Sequence, residues 1–195
     1  MPNTIGLDKC GGAERAVEKL LRFIGEDIER EGLVDTPKRF VKALGEWFVG
    51  YKQDPAEILS TYFEEVGGYD ELVMLRRIPF ESHCEHHIAP IMGTATVAYL
   101  PDRRVIGISK LARLVDCYSK RLQVQERMTV QIADALEEHL QPRGIAVIVN
   151  AQHQCMTTRG VHKPGVDMIT SVMRGVFLED SDARKEILSL HHDRG

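Results

Sequence analysis

Leu72-Val73-Met74-Leu75-Arg76-Arg77-Ile78-Pro79, followed by Ser82-His83-Cys84-Glu85-His86-His87 and then Gly93-Thr94-Ala95-Thr96-Val97-Ala98-Tyr99-Leu100, is the stretch on which the fold turns. The outer segments are rich in apolar and β-branched residues and read as strands. The middle segment has little strand propensity and runs into Ile88-Ala89-Pro90, so it reads as a turn between them. In an extended chain Cys84 and His86 would share a face and His87 would point away, whereas in a turn residues three apart converge. On the turn reading Cys84 and His87 face one another, and His86 is left free for proton transfer.

Downstream, Pro101-Asp102-Arg103-Arg104 reads as a hairpin turn into Val105-Ile106-Gly107-Ile108. Ser109 then caps a helix over Lys110 to Lys120, a second helix runs from Val124 to Leu140, and Gly144 to Ala151 is the strongest strand in the chain. Met168 to Phe177 is expected as the last strand and Ser181 to His191 as a closing helix. Upstream, residues 13 to 31 carry Val17, Leu20, Leu21, Ile24 and Ile28 at helical spacing. Thr36-Pro37 opens another helix with Phe40, Ala43, Leu44, Trp47 and Phe48 on its apolar face, and Gly67-Gly68 closes the helical region. This order predicts an α+β fold: an N-terminal helical region over residues 1–68, then a domain over 69–195 with an antiparallel sheet and its helices gathered on one face. A sheet this small leaves edges open, and edge-to-edge assembly into a ring is a natural remedy.

His153-Gln154-Cys155 lies far downstream of the turn. Cys84, His87 and Cys155 together offer two thiolates and one imidazole, a donor set that suits Zn2+, and three protein ligands leave a position open for water. Such a site would lower the pKa of its water toward about 7. The bland alternatives are a small closed zinc site or a pair of buried cysteines without metal.

The chain has 195 residues, enough for one domain with a real core, with or without a small helical extension. Four cysteines (Cys10, Cys84, Cys117, Cys155) do not make a disulfide scaffold. With 25 Lys+Arg against 29 Asp+Glu the net charge is −4 and the signs are mixed, which argues against a nucleic-acid partner. No apolar run is long enough to span a bilayer, and Met1-Pro2-Asn3-Thr4 lacks a secretory pattern, so a cytoplasmic protein with no membrane partner is expected.

Five segments carry a family resemblance: Gly32-Leu33 with Thr36-Pro37-Lys38-Arg39; Cys84-Glu85-His86-His87; Gly107-Ile108-Ser109-Lys110-Leu111-Ala112-Arg113; Gln123-Val124-Gln125-Glu126-Arg127; and His153-Gln154-Cys155 through Arg159-Gly160. Over residues 13 to 192 the chain is similar to GTP cyclohydrolase I of the zinc-dependent type. The resemblance implies a tunnelling fold and a homodecamer of two pentamers. It implies conversion of GTP and water to formate and 7,8-dihydroneopterin triphosphate, feeding tetrahydrofolate and one-carbon metabolism or other pterins. Allosteric control stays open, though not through a long tail, because little chain precedes the first helix. Two departures, His162 to Ile169 in place of a Ser/Thr-rich run and Arg174 where an apolar residue is usual, touch local geometry and not the proposed chemistry.

The same resemblance distributes the roles. His86 donates a proton to N7 of the purine as the ring bond weakens. His153 assists proton transfers in ring opening, and Ser109 serves the ribose opening and rearrangement. No Gly-x-x-x-x-Gly-Lys loop is present, so separate cations must hold the triphosphate: Lys110 and Arg113 at a helix N-terminus, Arg159, and Lys42 from a neighbouring subunit. Glu126 reads guanine by accepting from N1 and the exocyclic amine, with Gln125 adding a contact. Two other classes compete: a structural or nucleic-acid-binding zinc protein, which would need a fourth ligand and a basic face, and a deazaguanine reductase using cysteine as a nucleophile, which lacks the His-Gln-Cys arrangement.

Overall fold

The structure, a computed structural model, describes residues 10–64 and 71–193. Gly67-Gly68 and the expected boundary at residue 68 lie outside the described residues. By its contacts the chain divides into two compact units, Met1–Phe48 and Val49–Gly195.

The first unit contains α1 (Cys10–Phe23) and α2 (Thr36–Trp47), packed together. The helix expected to reach residue 31 stops at Phe23 because Gly25 adopts φ 92°. Glu26 N donates to Leu21 O (3.0 Å) and Gly25 N to Arg22 O (3.0 Å), the paired bonds of a Schellman stop, which satisfy the last carbonyls and turn the chain away. In α2 the cap position is Asp35, one residue before the expected Thr36, and Pro37 sits in the first turn where no amide hydrogen is missed.

The second unit is built on a five-stranded sheet in the order β5-β2-β3-β6-β7. A short helix, α3 (Pro55–Leu59), is capped by Asp54, whose carboxylate accepts from Ala56 N at 2.9 Å. Strand β1 (Tyr62–Phe63) precedes the long hairpin of β2 (Val73–Cys84) and β3 (Pro90–Leu100). Both hairpin strands extend beyond their expected limits, and β2 ends on Cys84 itself. Next come β4 (Val105–Ile106), α4 (Ile108–Ser119), β5 (Leu122–Gln123), α5 (Gln125–Leu140) and β6 (Gly144–His153), then α6 (Gln154–Thr157), β7 (Met168–Gly175), α7 (Val176–Glu179) and α8 (Ser181–His192).

Several expectations need correction. β4 does not fold back on β3; it pairs with β1 in a separate two-stranded sheet, Tyr62 opposite Ile106, and Tyr99 Oη accepts from Ile106 N (3.1 Å) to tie that ribbon to the core. The main sheet is mixed, since β5 runs parallel to β2. Its helices cover both faces. Alternation along β3 and β6 sends Val97, Tyr99, Ile145, Val147 and Val149 into the larger core with Leu111, Leu114, Met128, Ile132 and Leu136 of α4 and α5. Ala98, Ala146 and Ile148 face the other way, onto Phe177 of α7 and Ile187 of α8. Each fully buried Leu, Ile or Val there contributes roughly 1.5–3 kcal/mol. Burial on both faces also explains why Gly144 to Ala151 reads as a continuous apolar run.

β3 and β6 approach so closely at Gly93, opposite Ala151, that a Cβ there would lie 2.1 Å from Asn150 O. A register shift between Leu75 and Ile78 puts Arg77 at φ 56° and turns Arg76 and Arg77 toward the end of α8, where both donate to Asp193 O at 3.0 Å.

Candidate metal and active site

The hairpin delivers the first two donors. Ile88 N (2.8 Å) and His87 N (3.3 Å) both donate to Cys84 O, and Cys84 N donates to Ala89 O (2.8 Å), so the chain reverses over Glu85-His86-His87. Ile88 pays with φ 55°, an uncommon conformation for a β-branched residue. The turn places His87 Nδ1 3.6 Å from Cys84 Sγ. Cys155, at the start of α6 just past the end of β6, completes a group with Cys84 and His87 whose donor atoms all lie within 4.8 Å of one another.

The donor set fits zinc. With Zn–S near 2.3 Å and Zn–N near 2.0–2.1 Å, tetrahedral geometry separates a sulfur and a nitrogen by about 3.6 Å, the spacing of Cys84 and His87. Cys84 is buried, Cys155 half-buried and His87 exposed, so the group opens to one side. Burial pushes the Cys155 thiol up, helped by the neighbouring Cys84 and opposed by Arg159. Binding a cation would favour loss of the Cys155 proton against that shift. Arg159 Nη1 lies 2.8 Å from His87 Nε2. A guanidinium has no acceptor, so Nε2 is the acceptor here and Nδ1 holds the ring proton. Ligation through Nδ1 would move that proton to Nε2 and turn Arg159 away.

Two further histidines flank the group. His86 is exposed, with Nδ1 3.9 Å from Cys84 Sγ and Nε2 3.9 Å from a Glu85 carboxylate oxygen. His153, the last residue of β6, has Nε2 2.8 Å from Oε1 of Gln125. Burial holds its pKa below the usual histidine range, against the opposing pull of Glu126.

The remaining candidates separate. Glu126 is exposed at the start of α5, beside buried Gln125. Gln125 differs from expectation: it is 1 % exposed and its amide nitrogen lies 3.1 Å from Val149 O, 2.9 Å from Met168 O and 3.2 Å from Thr170 Oγ1, so it is committed to the protein interior. Ser109 is not a cap either. Gly107 holds the cap position of α4, and Ser109, exposed in the first turn, is followed there by Lys110, with Arg113 in the next turn. No side chain among the described residues hydrogen-bonds or ion-pairs with Ser109, Lys110, Arg113 or Glu126. Lys42 is exposed on α2 in the first unit.

Sequence reasoning missed a clamp on the metal turn. Glu85 N donates to Gln123 O (3.0 Å), the Glu85 carboxylate pairs with Arg127 of α5, and Arg127 Nε reaches Gln123 Oε1 at 3.4 Å. Charge complementarity is the only sequence signal for it, and opposite charges forty residues apart are too common to single out.

The family model for GTP cyclohydrolase I matches residues 13–192. The chain belongs to the GTP cyclohydrolase I family. Its curated relatives include GTP cyclohydrolase 1 of Maricaulis maris, 58 % identical over 178 residues, covering 91 % of this chain and 87 % of that one. GTP cyclohydrolase 1 of Hyphomonas neptunium is 56 % identical over 189 residues, 97 % of this chain and 92 % of that one, and that of Allorhizobium ampelinum is 52 % identical over 182 residues, 93 % and 90 %. Among solved structures, the archaeosine synthase QueF-Like in the apo form superposes with a TM-score of 0.45 at 22 % identity, over 53 % of this chain and 93 % of that one. As a member of the GTP cyclohydrolase I family the chain is an enzyme. No helix among its described residues is long and apolar enough to cross a membrane.

Proposed function

We propose that this enzyme opens the guanine imidazole ring of GTP hydrolytically and rearranges the product to 7,8-dihydroneopterin triphosphate with release of formate, using Zn2+ held by Cys84, His87 and Cys155. The observation that carries the reading is the convergence of these three donors, with two histidines beside them, in a chain of this family. Zinc bound there supplies Lewis acidity and a water activated near neutral pH.

The chain's own residues do the rest. His86, exposed at the rim, gives a proton to N7 as the ring bond breaks. His153, kept neutral by burial, accepts or returns protons at the opening ring. Ser109 on the first turn of α4 serves the ribose step. Lys110 from that turn and Arg113 from the next, without side-chain partners among the described residues and near a helix end that favours anions, hold the triphosphate with Arg159 and with Lys42 of a neighbouring subunit. Glu126, exposed and without a side-chain hydrogen bond or ion pair among the described residues, accepts from guanine N1 and the exocyclic amine. We extend the proposal to a tunnelling fold, a homodecamer of two pentamers and a cytoplasmic location. Incubating purified protein with GTP should release formate and a dihydropterin in equal amounts, the latter read by fluorescence after iodine oxidation to the pterin. Intact GTP after prolonged incubation of metal-loaded protein would refute the activity.

A further inference from the structure

Buried Gln125 sits in a ring of hydrogen bonds whose directions can all be assigned. Thr129 Oγ1 donates to Gln125 O (2.8 Å), so its hydrogen is spent. Across the 2.7 Å contact between Thr129 Oγ1 and Thr170 Oγ1, the donor must then be Thr170. With its hydrogen committed, Thr170 Oγ1 accepts from Gln125 Nε2 at 3.2 Å. Val149 O and Met168 O, which are acceptors only, meet the same amide nitrogen at 3.1 and 2.9 Å. A reversed amide would face its oxygen against two carbonyls, so its orientation is fixed and Oε1 must face His153. Since Oε1 cannot donate, the 2.8 Å contact requires His153 to donate from Nε2.

We propose that Gln125 is a positioning residue for the reaction: it fixes His153 as the Nε2–H tautomer, so that Nδ1 alone carries the lone pair that exchanges protons. This rests on the reading of His153 as a proton-transfer residue. It assigns Gln125 to the chemistry and not to guanine, although Glu126, the guanine contact proposed above, is the next residue in the same helix turn. Base recognition and proton transfer therefore meet on two adjacent side chains, one exposed and one buried.

The test uses full-length, metal-loaded protein labelled with 15N-histidine, with His153 assigned through His153→Asn. At a pH where the ring is neutral, His153 should show a pyrrole-type Nε2 and a pyridine-type Nδ1. Gln125→Met should shift both nitrogens toward an averaged position and lower kcat for GTP about 10- to 100-fold, with KM and metal content nearly unchanged. Gln125→Glu, neutral in that slot, keeps an acceptor toward His153 and should restore the wild-type tautomer and much of kcat. A wild-type Nδ1–H tautomer overturns the proposal without any variant having to fold. So does Gln125→Met with an unaltered His153 spectrum, or one that raises KM and spares kcat. Full activity in His153→Asn alongside an Nε2–H wild type would instead remove the catalytic reading of His153 and leave the tautomer assignment supported.

Discussion

Cys155 supplies the one donor that does not come from the β2–β3 turn, so its loss separates a three-ligand centre from a two-ligand one. Cys155→Ser should lose most of its zinc by elemental analysis, and full retention would strike Cys155 from the ligand set. Glu126 tests base selection independently of metal. Glu126→Gln turns one acceptor oxygen into a donor facing the donors of guanine, which should cost about 2–4 kcal/mol in kcat/KM for GTP at normal zinc content. Unchanged efficiency would leave Glu126 as a helix-end residue only. At this scale the meeting of Cys84 with His87 was legible because the low strand propensity of the segment favours the turn, in which residues three apart converge. The role of Gln125 was not, because its burial depends on Val149, Met168 and Thr170, which only the sheet register brings to it.

Elements succeed or fail by register. β3 and β6 meet across Gly93 with no room for a methyl group, so Gly93→Ala must push the two central strands apart. We expect a loss of about 3 kcal/mol or more in urea-unfolding stability; a neutral effect would mean that the strands separate easily. Helix α8 gives a pH dependence. Burial, and after it His192 and Arg76, hold the pKa of His191 below the usual histidine value, while Nδ1 pairs with Thr96 Oγ1 at 3.0 Å. Between that depressed pKa and about 6.5 the unfolded chain binds more protons than the folded one. Stability should therefore rise with pH through this window and level off above it. His191→Gln should make the acid-side decline in urea midpoint shallower; an identical decline would clear His191 of any part in it. Sequence periodicity found the long elements but not the stop of α1 at Phe23, the pairing of β4 with β1 or the helices on both sheet faces, since each depends on a local backbone conformation or a distant partner.

At the scale of the whole molecule, the sheet ends on two unlike edges. β5 is two residues long, whereas β7 runs eight residues and leaves Ile169 58 % exposed. An edge of that length invites another strand, in keeping with the proposed ring. Sedimentation should give a species much larger than a dimer, and a fully active monomer would overturn both the assembly and the assignment of Lys42 to a neighbouring subunit.

The position of Cys155 also sets when a metal centre can exist at all. It lies roughly seventy residues beyond Cys84, and closing a loop of that length costs on the order of 4 kcal/mol of chain entropy. An unfolded chain therefore offers an ion only local groups of donors, such as Cys84 with His87 or His153 with Cys155. The third donor arrives after β6 has zipped onto β3, and a slip of one residue in that pairing would send every β6 side chain to the opposite face. For the proposed zinc centre, metal capture would thereby come late in folding and would check it, because a chain with its central strands misaligned presents no complete centre to load.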